Sequence, residues 1–224
     1  MNLDPKKFFD LDDYEHKALF DGIDNVWEAL NNIPKYIEEY LAKIPKEERI
    51  KGTVKPGAIL VGDDIYIAEG AKIEPTAYIE GPAIIGPDSI VGTAAYVRGG
   101  TILGKHSILG HCTEAKNTIM LNNAYAPHFN FVGDSILGNN VNIGAGVILA
   151  NYRLDEKPVP IGTESTGLLK LGAVLGDRVK VGCNSTLEPG TFLGPDTWVL
   201  PVTYFKKGFY TRDKEDRKKI IKEI

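Results

Sequence analysis

His128 lies in the stretch AYAPHFNFVGD (residues 124–134), among Pro127, Phe129 and Phe131. Histidine takes up and releases a proton near neutral pH, so His128 is a candidate general base. Arg98 and Lys116 are eighteen residues apart, and each directly follows a small or aliphatic residue, Val97 or Ala115. Two cations side by side repel unless an anion joins them, and a phosphate is the natural choice. Asn151 would add an amide to the same groove. The plainer alternatives are a structural histidine and two solvated charges, or Lys116 paired with Glu114.

These residues depend on a regular chain to bring them together. Every sixth residue from Val61 gives Val61, Ile67, Ile73, Ile79, Ile85, Val91, Val97, Leu103 and Leu109, all branched aliphatics. Four residues after each come Ile65, Ala71, Ala77, Ala83, Ser89, Ala95, Thr101, Ser107 and Thr113, nearly all small. The rhythm returns at Leu169, Leu175, Val181, Leu187, Leu193 and Val199. Short strands joined by tight turns satisfy this period. Three of them close a triangular coil, so stacked positions recur every eighteen residues, as in a parallel β-helix. In this frame Ala115, Leu121 and Pro127 are poorer anchors, and Val132 and Leu137 follow after two successive steps of five. The shortened sides are expected to distort the coil beside His128, and a local departure of this kind marks a functional site.

Residues 51–204 therefore form the β-helix, interrupted by a loop over 150–168 that has no six-residue rhythm. A loop this long in a compact repeat is usually functional. Residues 1–50 carry helical spacing at Val26, Trp27, Leu30 and Ile33, and again at Ile33, Ile37, Tyr40, Leu41 and Ile44. Pro34 is expected to start the second of two helices and Pro45 to end it, making a helical cap or an assembly element. Residues 205–224 are read as a tail with an exposed amphipathic helix, its charges a solvated face.

The chain has 224 residues, 24 glycines, 13 prolines and a net charge of −4, which argues against a general nucleic-acid surface. Cys112 and Cys183 are its only cysteines and make no disulfide framework. The segment MNLDPKKFFD lacks an apolar signal core, and no run reaches the length of a membrane span. A cytoplasmic protein is expected.

The stretches YVRGG, TEAKN, PHFNFVGDSILGNNVNIGAGVILANY and the lysine of DEKP resemble the acetyltransferase domain of the bifunctional N-acetylglucosamine-1-phosphate uridyltransferase/glucosamine-1-phosphate acetyltransferase family. The later KLGAVLGDRVKVGCNSTLEPGTFLGP resembles the C-terminal β-helix of sugar-nucleotidyltransferase relatives. The resemblance implies an all-β fold, a left-handed parallel β-helix of hexapeptide repeats. It implies a homotrimer that uses acetyl-CoA as co-substrate, with no metal. By the same resemblance His128 is the catalytic base. Arg98, Lys116, Asn142 and Lys157 hold the sugar phosphate, and Ala145, Asn151, Tyr152, Cys183 and Pro201 contact acetyl-CoA. Phe131 stands where the family has a tyrosine, so a sugar-facing hydroxyl is lost. Arg153 replaces the acidic residue that follows the Asn-Tyr pair. The uridyltransferase domain is absent, which leaves room for a separate nucleotidyltransferase partner.

Together these features predict N-acetylation of an amino-sugar 1-phosphate, glucosamine-1-phosphate above others, in UDP-N-acetylglucosamine synthesis. Glu114 is a candidate to orient or charge-balance the site. Other readings are an acyltransferase on another amino sugar or a UDP-amino sugar, and a non-catalytic β-helix scaffold. The γ-class carbonic anhydrases share the fold and bind zinc through three histidines. Here His106 and His111 lack the third, because the position two coils before His106 is Gly70. Both are read as turn residues.

Overall fold

A computed structural model describes residues 3–162 and 164–211. Short parallel strands build three eight-stranded sheets, and successive strands step from one sheet to the next around a triangular coil. The first sheet runs from Thr53–Val54 to Trp198–Val199, the second from Ile59–Val61 to Tyr204–Phe205, and the third from Ile65–Ile67 to Gly208–Tyr210. The expected β-helix is thus present, and its coils continue past residue 204. The tail helix falls largely on residues 212–224, outside the described residues.

The aliphatic positions point inward. Ile73, Ile79, Ile85, Val91, Val97, Leu103 and Leu109 are fully buried in one core with Ala71, Ala77 and Ala83 from the corners. Burying such a side chain is worth about 1.5–3 kcal/mol. At several corners the small residue is a serine or threonine whose hydroxyl donates to the next coil, as from Ser89 to Gly104 O (2.7 Å) and from Thr118 to Val132 O (2.8 Å). These bonds remove the cost of a buried hydroxyl.

The six-residue frame needs four corrections, one of them at Leu169, which is exposed where the rhythm is expected to resume. Leu60, not Val61, points inward opposite Ile79, and Val61 is exposed. Met120 and Ala126 are inward, stacked on Leu103 and Leu109, in place of Leu121 and Pro127. The two five-residue steps are therefore Ala115 to Met120 and Val132 to Leu137, a full coil apart. They fall at the same corner, between the second and third sheets, where Asn117 (φ 46°) and Asp134 (φ 47°) each turn the chain in the left-handed region. Asn and Asp tolerate that conformation, and their side chains bond to each other across the coils. The shortening is thus a stacked corner across the second sheet from His128; it keeps the strands of all three sheets in register and does not distort the coil beside His128 as expected.

Residues 3–41 cover the outside of the third sheet. Its outward positions Ile84, Ile102, Ile119, Ile136, Val174 and Phe192 are fully buried against Phe8, Leu19, Val26, Leu30, Ile33 and Ile37. One helix, Ala29–Leu41, replaces the two expected. Pro34 lies inside it rather than at a start. The buried stripe Leu30, Ile33, Ile37 and Leu41 runs unbroken past the proline, and packing outweighs its lost N–H. The segment before the helix is tied to a ladder of corner side chains. Asn122 Nδ2 donates to Asp13 O and Asn139 Nδ2 to Asp10 O (both 2.8 Å), while Asp10 N–H donates to Asp177 Oδ2 (2.8 Å).

Candidate active site

His128 ends the strand Tyr125–His128 on the first sheet, at the corner leading to the second. Its neighbours in the register form one column. His111 pairs with His128 one coil below. Above, Gly146 N–H donates to His128 O, Asn184 N–H to Ala145 O and Val202 N–H to Cys183 O, so Ala145, Cys183 and Pro201 continue the line. The candidate base and three candidate acetyl-CoA contacts thus stand in a single corner column. After each column residue comes one in the left-handed region: Cys112 (φ 53°), Phe129 (φ 52°), Gly146 (φ 71°), Asn184 (φ 55°) and Val202 (φ 57°). For Phe129 and Val202 this conformation is strained, although the same turn conformation recurs at other corners, as at Thr76 (φ 64°) and Ala94 (φ 56°).

The stretch around His128 now has a physical account. Phe129 is 57% exposed and stands edge-on to the His111 ring at 4.4 Å. Asn130 takes the buried corner position usually filled by a small residue. Its Oδ1 accepts from His128 N–H (3.1 Å) and its Nδ2 donates to Gly144 O (2.7 Å), clamping the backbone of the histidine. His128 Nδ1 lies 3.1 Å from His111 Nδ1. His111 is thus more than a turn residue; it ends a strand, whereas His106 does lie in a turn (φ 55°). Sequence reasoning missed Asn130 and missed His111 as a partner of His128. The available signal was the interval of seventeen, which matches the shortened coils.

The second sheet carries the candidate anion site. Arg98 N–H donates to Ala115 O, which sets Arg98 beneath Lys116, and Lys116 pairs with Gly133 above. Arg98 Nη1 donates to Glu114 Oε1 at 2.9 Å, and this bond raises the guanidinium pKa. Lys116 Nζ lies 3.9 Å from Asp134 Oδ2, too far for a hydrogen bond, so it keeps donors for a ligand. Asp134 is 5% exposed and also accepts from Asn117 Nδ2 (2.9 Å) and Asn151 Nδ2 (2.6 Å). Asn151 therefore occupies the corner above Asp134 rather than the Lys116 stack itself. Phe131 sits between Glu114 and Ile148 on the same sheet. A Cβ at Gly133 would fall 2.6 Å from Phe131 Cζ and 2.7 Å from Asn151 Nδ2, so any side chain there would displace one or both of them.

Asn142 lies elsewhere, on the first sheet between Tyr125 and Lys180. Tyr152 is exposed under Lys170 Nζ, 6.0 Å from its ring centroid, and lines an open groove of about 390 Å³ with Leu154, Thr186 and Tyr204. Lys157 is exposed in the same loop. Nearby, Arg153 chiefly, with Lys157, holds the Asp155 carboxyl down to about 2. The structure thus gathers Arg98, Glu114, Lys116 and Phe131 on the second sheet. His128, Ala145, Cys183 and Pro201 share the preceding corner, while Asn151, Tyr152 and Lys157 lie on and beyond the following one. Among the described residues no group of three or more His, Cys, Asp or Glu side chains is arranged to hold a metal ion.

No family model matches the chain. The bifunctional protein GlmU of Methanocaldococcus jannaschii is 39% identical over 171 residues, covering 67% of this chain and 37% of the relative. The bifunctional sugar-1-phosphate nucleotidylyltransferase/acetyltransferase of Sulfurisphaera tokodaii is 35% identical over 181 residues, covering 79% and 42%. The chain thus spans about two fifths of the length of these relatives. An uncharacterized acetyltransferase of Escherichia coli, YaiX, is 30% identical over 214 residues and matches nearly end to end, covering 90% and 91%. With a parallel β-helix of six-residue repeats and an acetyltransferase relative of its own length, the chain belongs to the hexapeptide-repeat acyltransferases.

Proposed function

We propose that the protein transfers an acetyl group from acetyl-CoA to the amine of an amino-sugar phosphate. The observation that carries this is the column of His128, Ala145, Cys183 and Pro201. Coils stack about 4.8 Å apart, so the column offers an extended thioester arm about 14 Å of track ending at an exposed imidazole. Arg98 and Lys116 would hold the phosphate on the adjoining sheet, mainly by positioning it. Asn142 and Lys157 complete the proposed acceptor set, and Asn151 and Tyr152 the acetyl-CoA set.

In the reaction the neutral amine attacks the thioester carbonyl carbon and the C–O π pair moves to oxygen. His128 Nε2 takes the proton that the nitrogen sheds. The Ala145 N–H lies between those of Gly144 and Gly146, which are committed to Val181 O and His128 O, and is the candidate donor to the oxyanion. Collapse of the adduct re-forms the carbonyl, forms the amide and breaks the C–S bond. The proton held by His128 passes to the departing thiolate. No metal is needed for these steps.

Glucosamine-1-phosphate is the first acceptor to test, with a separate nucleotidyltransferase consuming the product in UDP-N-acetylglucosamine synthesis. The apolar Phe131 ring over Gly133 favours a second reading, another amino sugar or a UDP-amino sugar. Asn151 and Tyr152 lie across the second sheet from the column, so one chain does not gather the acetyl-CoA set. A homotrimer, in which one chain's column faces a neighbour's far corner, would. Cytoplasmic residence fits this chemistry; among the described residues no helix is long and apolar enough to cross a membrane.

Thiol release from acetyl-CoA, measured with glucosamine-1-phosphate, galactosamine-1-phosphate and UDP-amino sugars, tests the proposal. Turnover with one of them, lost in His128→Ala, supports it. Turnover with none, and no CoA-induced rise in melting temperature, leaves the β-helix as a scaffold.

A further inference from the structure

His111 and His128 face each other through the same ring atom. Their Nδ1 atoms lie 3.1 Å apart, their ring centroids 4.9 Å apart and their planes at 63°. A hydrogen bond between two Nδ1 atoms needs one protonated and the other bare. If His111 donates, His128 carries its own proton on Nε2 and presents no lone pair outward. If His128 donates, its Nε2 is bare and ready to accept.

We infer that His111 is the positioning residue for His128: it accepts the Nδ1–H of His128 and so leaves the His128 Nε2 bare. The His111 ring is itself held edge-on by Phe129 at 4.4 Å, and the His128 backbone is clamped by Asn130. Both partners are thus fixed from the chain around them, as an orienting pair requires. When Nε2 of His128 takes a proton, the Nδ1–H to His111 becomes charge-assisted and the imidazolium is stabilised. Two Nδ1–H groups would point at each other across 3.1 Å, so the geometry seats one proton between the rings.

The other titratable groups of this corner are the thiols of Cys112, beside His111, and Cys183, two coils above His128. Glu114, on the strand that follows, is engaged by Arg98, and Tyr125 shares the His128 strand. No carboxylate hydrogen-bonds to either imidazole among the described contacts, so the orienting group is a neutral ring. The catalytic consequence rests on His128 as the base of the proposed transfer; the tautomer does not.

Long-range ¹H–¹⁵N spectra of the full chain at high pH read both rings without any substrate. The expected result is His128 with its proton on Nδ1 and a bare Nε2. In His111→Phe, His128 should lose its tautomer preference. In His111→Asn, whose amide oxygen can accept the same bond, the preference should return. In thiol-release assays His111→Phe should lower kcat about tenfold with little change in the KM for acetyl-CoA, and His111→Asn should recover most of it. An Nε2–H tautomer of His128, a His128 tautomer ratio indifferent to both variants, or a stoichiometric zinc ion held between the two Nδ1 atoms would overturn the inference. The Nδ1–H tautomer of His128 in a chain that transfers no acetyl group would uphold it and remove the acyl-transfer reading instead.

Discussion

Cys183 stands two coils above His128 in one corner column, with Ala145 between them. Cys183 and Cys112 are both exposed, which provides an internal control. Alkylation by iodoacetamide should label both thiols in the free protein. Bound CoA should slow labelling of Cys183 at least about tenfold, the protection expected once a ligand at ten times its Kd occupies the column. Peptide mass spectrometry reads the two sites separately, and equal labelling of Cys183 with and without CoA would move the donor off this corner.

Lys116 keeps donors free because Asp134 is 3.9 Å away, whereas Arg98 is hydrogen-bonded to Glu114. Lys116→Ala should therefore raise the acceptor KM about tenfold or more, since charge-assisted bonds are worth about 1.5–3 kcal/mol. The KM for acetyl-CoA should stay within about twofold by the same reasoning. Steady-state kinetics with each substrate varied in turn checks the split.

Phe131→Tyr should shift acceptor preference toward sugars that offer a hydrogen-bond partner to the new hydroxyl. The change in kcat/KM ratio between glucosamine-1-phosphate and a competing acceptor should be about fivefold to tenfold, the worth of one net hydrogen bond. Unchanged ratios would mean that the Phe131 ring does not meet the acceptor.

Asp177 is 3% exposed and accepts from the N–H groups of Asp10 and Asn139 and from Asn139 Nδ2. Asp177→Ala leaves those donors without their acceptor and should cost about 2–3 kcal/mol, read as a lower urea midpoint.

His16 is 1% exposed, bonded through Nδ1 to Tyr36 Oη at 2.9 Å, and burial lowers its pKa from 6.5 to about 4. The folded state thus holds this proton more weakly than the unfolded state. Stability from His16 is complete above about pH 6.5 and is lost as pH falls towards 4. The full loss is about 3 kcal/mol. Melting curves from pH 7.5 to 4 should fall more steeply for the wild type than for His16→Asn. Parallel curves would place the acid sensitivity elsewhere; burial pushes the Asp177 carboxyl up, which acts in the opposite direction.

The β-helix was legible because its aliphatic and small positions repeat with the backbone's own period. The frame slipped where the period did. The residues just before Leu121 and Pro127, Met120 and Ala126, are also apolar, so the missing residue could be placed at several points without an obvious clash. The cap was legible as helical, but not its purpose. That lay in the outward residues Ile84, Ile102, Ile119 and Ile136, an apolar line on one sheet in three that makes sense only when a cover is sought. In the site, spacing brought out Arg98 with Lys116. The His111 partner was concealed because it lies seventeen residues from His128, not eighteen, and Asn130 because a buried amide resembles any other corner residue.

The segment over the third sheet also sets a timetable. Phe8, Leu19 and Ile33 find their shelter against residues as far along as Val174 and Phe192. A ribosome adding about 5–20 residues per second takes on the order of ten seconds to make the intervening chain. During that interval the apolar stretch made first has only part of its eventual cover. Newly made chains should be most vulnerable to premature aggregation then, and the final coils should release them from any chaperone that guards residues 3–41.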